Sequence, residues 1–223
     1  MDKTPCVAII PAKGISERFP GKNKALFLGV PLWRLAANVA AGSGVFSEVI
    51  ISTDDPTIFN EASGVCSRIM RPPILSAEGV GVQAVVFHVL STLPEFPKSF
   101  CVVLPTSPLR KVGHLVAMWE KFSKSSQQAL LSVRLVPKPH EYFLEMRTGY
   151  VDRIDPPEWR QWWIHDGTAL FCETRAFLQH FDFYKIPMDA FPIPQEESVD
   201  VNTEQDLVWA EFLAVREAER VQL

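Results

Sequence analysis

Four cysteines in 223 residues, Cys6, Cys66, Cys101 and Cys172, stand far apart, with no C-x-x-C pair and no His/Cys cluster. That spacing argues against a zinc module or a disulfide-stapled scaffold. Cys6, Cys101 and Cys172 each fall in or beside an apolar run, so buried free thiols in a reducing cytoplasm are expected. No apolar run approaches the roughly 20 residues a bilayer-spanning helix needs. Residues 1–5 are polar and only a strand-length apolar run follows them, unlike a signal peptide. A soluble, cytoplasmic protein with no membrane partner is the expectation. Charge of one sign is scarce too: 22 Lys+Arg against 26 Asp+Glu leave a net charge of −4, which provides no basic footprint for nucleic acid.

Two familiar phosphate motifs are also missing. A Walker loop needs G-x-x-x-x-G-K-[ST], but Gly14 and Gly21 are too far apart and Lys22 is followed by Asn23 rather than a hydroxyl. The dinucleotide fingerprint G-x-G-x-x-G is absent.

What the chain does have is a local concentration of cations in a mildly acidic background. Val7–Ile10 reads as a buried parallel strand stopped by Pro11. The loop that follows, to Asn23, carries Lys13, Arg18 and Lys22, the hydroxyl of Ser16, and two glycines that let backbone N–H groups approach an anion. This is chemistry suited to a small polyphosphate, set against the plainer alternative of a basic surface loop. Leu32, Leu35, Ala36, Val39 and Ala40 then recur at helical spacing behind Pro31, with Gly42 and Gly44 ending the run. Val49–Thr53 reads as a second buried strand, completing a βαβ unit. At its end Asp54 and Asp55 either approach a metal or cap the helix that Pro56 begins.

Farther on, Val82, Val85, Val86, Val89, Leu90 and Leu93 form an apolar helical face on which His88 is structural. Phe100–Leu104 and Leu130–Val136 read as strands separated by a helix over Val112–Phe122. The pattern changes over residues 137–165, where Tyr142–Met146 and Tyr150–Ile154 look like short strands. The tryptophans Trp159, Trp162 and Trp163 fit either an interface or a core edge. In Glu197–Leu207, Asp200 and Asn202 are two apart, so an extended backbone turns both to one side, where both could reach one ion. Thr203 and Asp206 form a capping-box-like start to a long C-terminal helix. The chain is therefore expected to be one α/β domain.

The run PAKGISERFPGKN, Pro11–Asn23, resembles the opening of the acylneuraminate (sialic acid) cytidylyltransferases, which reads I-I-P-A-R-G-x-S-K-R-x-P-x-K-N. The resemblance continues through Ser52–Asp55, Arg71–Pro72, the hexapeptide PTSPLR at Pro105–Arg110 and Asp200–Leu207, and so spans essentially the whole chain. It implies a doubly wound, mainly parallel, Rossmann-like sheet with a small β-rich dimerisation arm at 137–165. It also implies CTP and a nine-carbon or related keto-sugar acid as substrates, and a homodimer. On this resemblance Ala12, Lys13, Gly14, Ser16, Lys22, Asn23 and Arg71 would contact the nucleotide, with Lys13 and Lys22 acting catalytically on its phosphates. Thr106, Ser107, Arg160, Gln161 and Asp166 would border the sugar, and Asp200 with Asn202 would hold magnesium.

The chain also departs from the family pattern. Lys13 replaces an arginine and loses its bidentate fork. Glu17 replaces a base, Leu104 a glutamine, and Asn202 an acid. The segment AEGVGV, Ala77–Val82, lacks the hydroxyls usual near the base and ribose. His165-Asp166-Gly167 is similar to the H-D-A-G of the pseudaminic acid branch, or is simply a turn. These departures leave two other readings open: the same chemistry on another sugar acid or nucleotide, or a nucleotide-binding homologue without turnover.

Overall fold

The computed structural model describes residues 3–136, 144–147, 150–153 and 162–221. Arg160, Gln161 and Trp159 lie outside the described residues, as does much of the segment expected to form an arm.

The expected first strand is β1 (Cys6–Pro11), and its alternating side chains organise the two faces of the sheet. Cys6, Ala8 and Ile10 pack with Trp33, Ala36 and Ala40 of α1 (Leu32–Gly42) and with Leu115, Met118 and Phe122 of α4 (Val112–Lys124). Val7 and Ile9 face the other way, onto Val86, Val89 and Leu90 of α3 (Val82–Thr92) and Phe177 of α5 (Thr174–His180). A strand apolar on both sides can be stable only between two helical layers, which is the doubly wound arrangement. Each fully buried aliphatic side chain on these faces contributes roughly 1.5–3 kcal/mol relative to exposure.

On either side of β1 lie β4 (Glu48–Thr53) and β6 (Ser99–Val102), both parallel to it, with Ile9 opposite Ile50 and Val102. Beyond β4 comes β5 (Ser67–Met70), also parallel, after the short helix α2 (Pro56–Glu61). Beyond β6 lie β10 (Trp163–Glu173), then β7 (Ala129–Leu135) and β11 (Met188–Pro192), giving the order β11-β7-β10-β6-β1-β4-β5. Only β10 runs against the rest. Among the described residues two small ribbons complete the strands: β2 (Leu26–Phe27) with β3 (Val30–Pro31), and β8 (Leu144–Arg147) with β9 (Tyr150–Arg153). The second ribbon lies where two short strands were expected.

Two elements differ from the sequence reading. Trp163, expected at an interface or a core edge, begins the strand β10 and pairs with β7 opposite Leu135. His165-Asp166-Gly167 is not a chain-reversing turn: the register shifts between His165 and Leu170 and the strand continues, with Gly167 at φ +81°. Asp-Gly supplies the positive φ that a turn and a bulge both require, so the dipeptide alone does not separate them.

The C-terminal helix α6 (Glu204–Val221) packs Leu207 and Ala210 against Phe27, Leu32, Leu109 and Val201. This third apolar cluster brings the end of the chain back to the loop after β1. Thr203 and Asp206 form the expected cap, with the Thr203 N–H donating to the Asp206 carboxylate at 2.8 Å and the Asp206 N–H to Thr203 Oγ1 at 3.3 Å.

Candidate active site

Beyond Pro11 the chain is held to β4, Ala12 N–H donating to Ser52 O at 2.9 Å. Gly14 then passes over the start of α2, where a Cβ would lie 2.9 Å from Asp55 Cβ, so no other residue fits without displacement. Its N–H donates to Asp54 Oδ1 at 3.0 Å. Asp55 caps α2 as one of the two sequence alternatives held, accepting from Thr57 N at 2.8 Å and Ile58 N at 3.3 Å and pairing with Lys24 at 2.7 Å. Asn23 is buried and donates to Lys13 O at 2.8 Å, tying the two arms of the loop together. Lys13, Ser16, Lys22 and Asn23 thereby line one cavity.

The far end of the chain supplies the same cavity. Val201 N–H donates to Thr106 O at 2.8 Å and its side chain is fully buried, while its neighbours Asp200 and Asn202 both line the cavity. This is the same-side alternation expected of the segment. Asn202 Nδ2 donates to Asp200 Oδ2 at 2.7 Å. Its Oδ1 accepts from Arg18 Nη2 at 2.8 Å and, at the long limit of 3.4 Å, from Lys22 Nζ. The amide orientation has a chemical reason, since arginine and lysine present donors only. Burial lowers the pKa of Lys22, and Arg18 and Lys13 push the same way against Asp200 and Asp206.

The cavity has a volume of about 300 Å³. The same cavity has an apolar wall made by Leu75, Ala77, Val80, Val82 and Val85, with Arg71, Ser76 and Thr106 adding polar groups. Arg71 is buried rather than a solvated surface residue. Its guanidinium donates to Ser76 Oγ at 2.8 Å and Ser52 O at 3.3 Å and pairs with Asp54 at 3.4 Å. Burial lowers its pKa, with Asp54 opposing.

Several expected contacts are placed elsewhere. Ala12 is fully buried and Gly14 has its N–H on Asp54, so these backbone donors hold the loop instead of facing the cavity. Ser107 is buried and donates to Asp166 O at 3.3 Å. Asp166 is buried too, its carboxylate accepting from Thr168 N at 3.2 Å and Thr168 Oγ1 at 2.7 Å. Neither lines the cavity as a sugar contact should, because Ser107 is satisfied by the main chain of the β10 bulge and the Asp166 carboxylate by Thr168 within that bulge. Arg110 donates to the main-chain carbonyls of Thr168 at 2.7 Å, Gly167 at 3.4 Å and Leu104. Sequence reasoning also assigned no role to the apolar wall or to the Arg18–Asn202 bond. The valine-rich stretch from Val80 to Val86 was a signal for the wall, although helical periodicity assigns all such residues to the core.

A model of the family described as cytidylyltransferase matches residues 7–144. The pseudaminic acid cytidylyltransferase of Campylobacter jejuni is 29% identical over 220 residues, 93% of this chain and 95% of that protein. The CMP-N,N'-diacetyllegionaminic acid synthase of Legionella pneumophila is 32% identical over 222 residues, covering 92% of this chain and 93% of that one. Among solved structures, a CMP:2-keto-3-deoxy-manno-octonic acid synthetase complexed with CTP shares the fold, with a TM-score of 0.72 at 15% identity over 96% of this chain and 100% of that chain. The cleft joining both ends of the chain is thus built on the nucleotidyltransferase fold, and the chain belongs to the cytidylyltransferase family.

Proposed function

We propose that this chain activates a nonulosonic, sialic-acid-like sugar acid with CTP, giving the CMP-sugar and pyrophosphate. The observation that carries this reading is the convergence of Lys13 and Lys22 from the first loop with Asp200 from the start of the last helix on one cavity. Its support from relatives is that a pseudaminic and a legionaminic acid enzyme each match it nearly end to end.

In the reaction the sugar's anomeric oxygen forms a bond to the α-phosphorus of CTP as the bond from that phosphorus to the bridging oxygen breaks. Pyrophosphate leaves with its bonding pair and the sugar hydroxyl gives its proton to solvent. No enzyme nucleophile is required. Lys13 and Lys22 hold the phosphates and stabilise the charge that gathers on the departing group, while Arg71 and Ser76 face the rest of the nucleotide. The apolar wall excludes water. A second chamber of about 250 Å³ shares Val82 and Leu104 with the first and is lined by His165 and Tyr184, giving the sugar room beside the nucleotide.

The donor chemistry also fits magnesium. Asp200 offers a hard carboxylate oxygen to the cavity, and magnesium typically takes one or two carboxylates and completes its shell with substrate phosphates and water. Asp200 would hold it, and when bound it would add positive charge at the leaving pyrophosphate. Homodimerisation through the segment 137–165 belongs to the same proposal. Pyrophosphate release measured across a matrix of nucleotides and keto-sugar acids tests the reading. CTP with a nonulosonic acid should give the highest kcat/KM, and saturable nucleotide binding without product from any pair would support the non-catalytic alternative instead.

A further inference from the structure

Resting on the proposed reaction, we infer that Asn202 is a positioning residue whose amide oxygen holds Arg18 and Lys22 over the outer phosphates of the nucleotide. Three hydrogen bonds define the arrangement. Asn202 Nδ2 donates to Asp200 Oδ2 at 2.7 Å, and Oδ1 accepts from Arg18 Nη2 at 2.8 Å and Lys22 Nζ at 3.4 Å. The main chain is fixed independently, Asn202 N–H donating to Asp206 Oδ2 at 2.9 Å and Val201 N–H to Thr106 O at 2.8 Å. The carboxamide is thus anchored at its base and by its NH2 group, and its oxygen points at two cations.

In this chain the acceptor at the position is uncharged. A carboxylate here would bind the two cations more strongly but neutralise them, reducing the attraction they offer a triphosphate. An amide oxygen orients without cancelling charge. Arg18 is otherwise exposed on a long flexible stem, and leaving it free would make each phosphate contact begin with an ordering cost. An oxygen that already faces an arginine and a lysine is also poorly disposed toward a divalent cation, because a third positive charge would have to share it. Asn202 therefore acts on the phosphates through Arg18 and Lys22, leaving Asp200 as the carboxylate for the metal.

The test is direct binding by calorimetry in EDTA, with the full chain and the ladder CMP, CDP and CTP. Asn202→Ala should weaken CTP about tenfold, the value of one charge-assisted contact at the lower end of its range, and leave CMP within about twofold. Arg18→Ala, a change at an exposed side chain, should give the same ladder, and the double variant should lose clearly less than the sum of the two single ones, because Asn202 acts in part through Arg18. Asn202→Asp should weaken metal-free CTP at least as much as Asn202→Ala. Equal CTP binding by wild type and Asn202→Ala, equal losses for CMP and CTP, or additive losses in the double variant would overturn the inference while leaving the proposed reaction intact. Wild type that binds no cytidine nucleotide with or without magnesium would overturn both.

Discussion

Replacing Arg110 by methionine should be among the most damaging single changes in the chain, although this residue does not line the cavity. The guanidinium is 4% exposed and donates to three main-chain carbonyls, those of Leu104, Gly167 and Thr168. It thereby fastens the loop after β6 to the bulge of β10. Methionine retains most of the volume, so cavity formation adds little and the loss is mainly of hydrogen bonds. Bonds from a charged group contribute about 1.5–3 kcal/mol each. Counting two and giving no weight to the 3.4 Å contact gives about 3–6 kcal/mol. Burial also pulls the Arg110 pKa down to about 10, a sign that the buried charge is itself costly, which favours the lower end. A loss of about 3 kcal/mol corresponds to a fall in melting temperature of about 6–12 °C for a chain of this size. Arg110→Lys keeps the charge but has no fork with which to reach three carbonyls, so it should fall between the two. Thermal unfolding by circular dichroism reads the effect. A melting temperature for Arg110→Met within about 2 °C of wild type would refute the assignment of this residue as the clamp between β6 and β10.

Three other changes separate the parts of the site. Lys22→Ala should reduce kcat/KM at least about a hundredfold, the scale of losing a group that stabilises transition-state charge, with a melting temperature within a few degrees of wild type; normal turnover by a folded variant would remove Lys22 from the chemistry. Gly14→Ala should raise KM for CTP and lower stability together, since its Cβ would lie 2.9 Å from Asp55 Cβ, and steady-state kinetics with a melting curve would show whether both move. Asp55→Asn keeps a capping oxygen and removes the charge, so it should cost about 0.3–1 kcal/mol at pH 7, the worth of a negative charge at a helix N-terminus. Although burial opposes ionisation of Asp55, the bonds from Lys24, Thr57 and Ile58 outweigh it and lower its pKa. Its contribution is therefore complete above the ordinary value of 3.8 and disappears as pH falls through the lower folded value. The gap between the two proteins should close in acid, and a gap independent of pH would show that the carboxylate charge is not what stabilises α2.

The sheet and its helices were legible because their signals are local. Val7–Ile10, Val49–Thr53 and the stretch from Val82 to Leu93 carry apolar periodicity that only a two-layered α/β arrangement can bury. The cationic wall was legible for a similar reason, since Lys13, Lys22 and Asn23 sit within one short loop and Asp200 and Asn202 two apart. What sequence could not show was the direction in which a polar group faces. Ser107, Asp166 and the N–H of Gly14 are ordinary donors and acceptors in a motif, and only the tertiary arrangement decides that Ser107 donates to the Asp166 carbonyl, that the Asp166 carboxylate accepts from Thr168 and that Gly14 donates to Asp54. The burial of Arg71 was not legible either, because it depends on Asp54 and Ser76 arriving from separate loops. Asp-Gly at 166–167 gave the backbone angle correctly but not the strand that continues through it.

A crystal of the protein soaked with CTP and magnesium tests the central claim most directly. The account predicts the triphosphate within hydrogen-bonding distance of Lys13, Lys22 and Arg18, the metal on Asp200, and the cytidine toward the apolar wall. A nucleotide bound outside this cleft, or within it but with its phosphates turned away from Lys22, would contradict it.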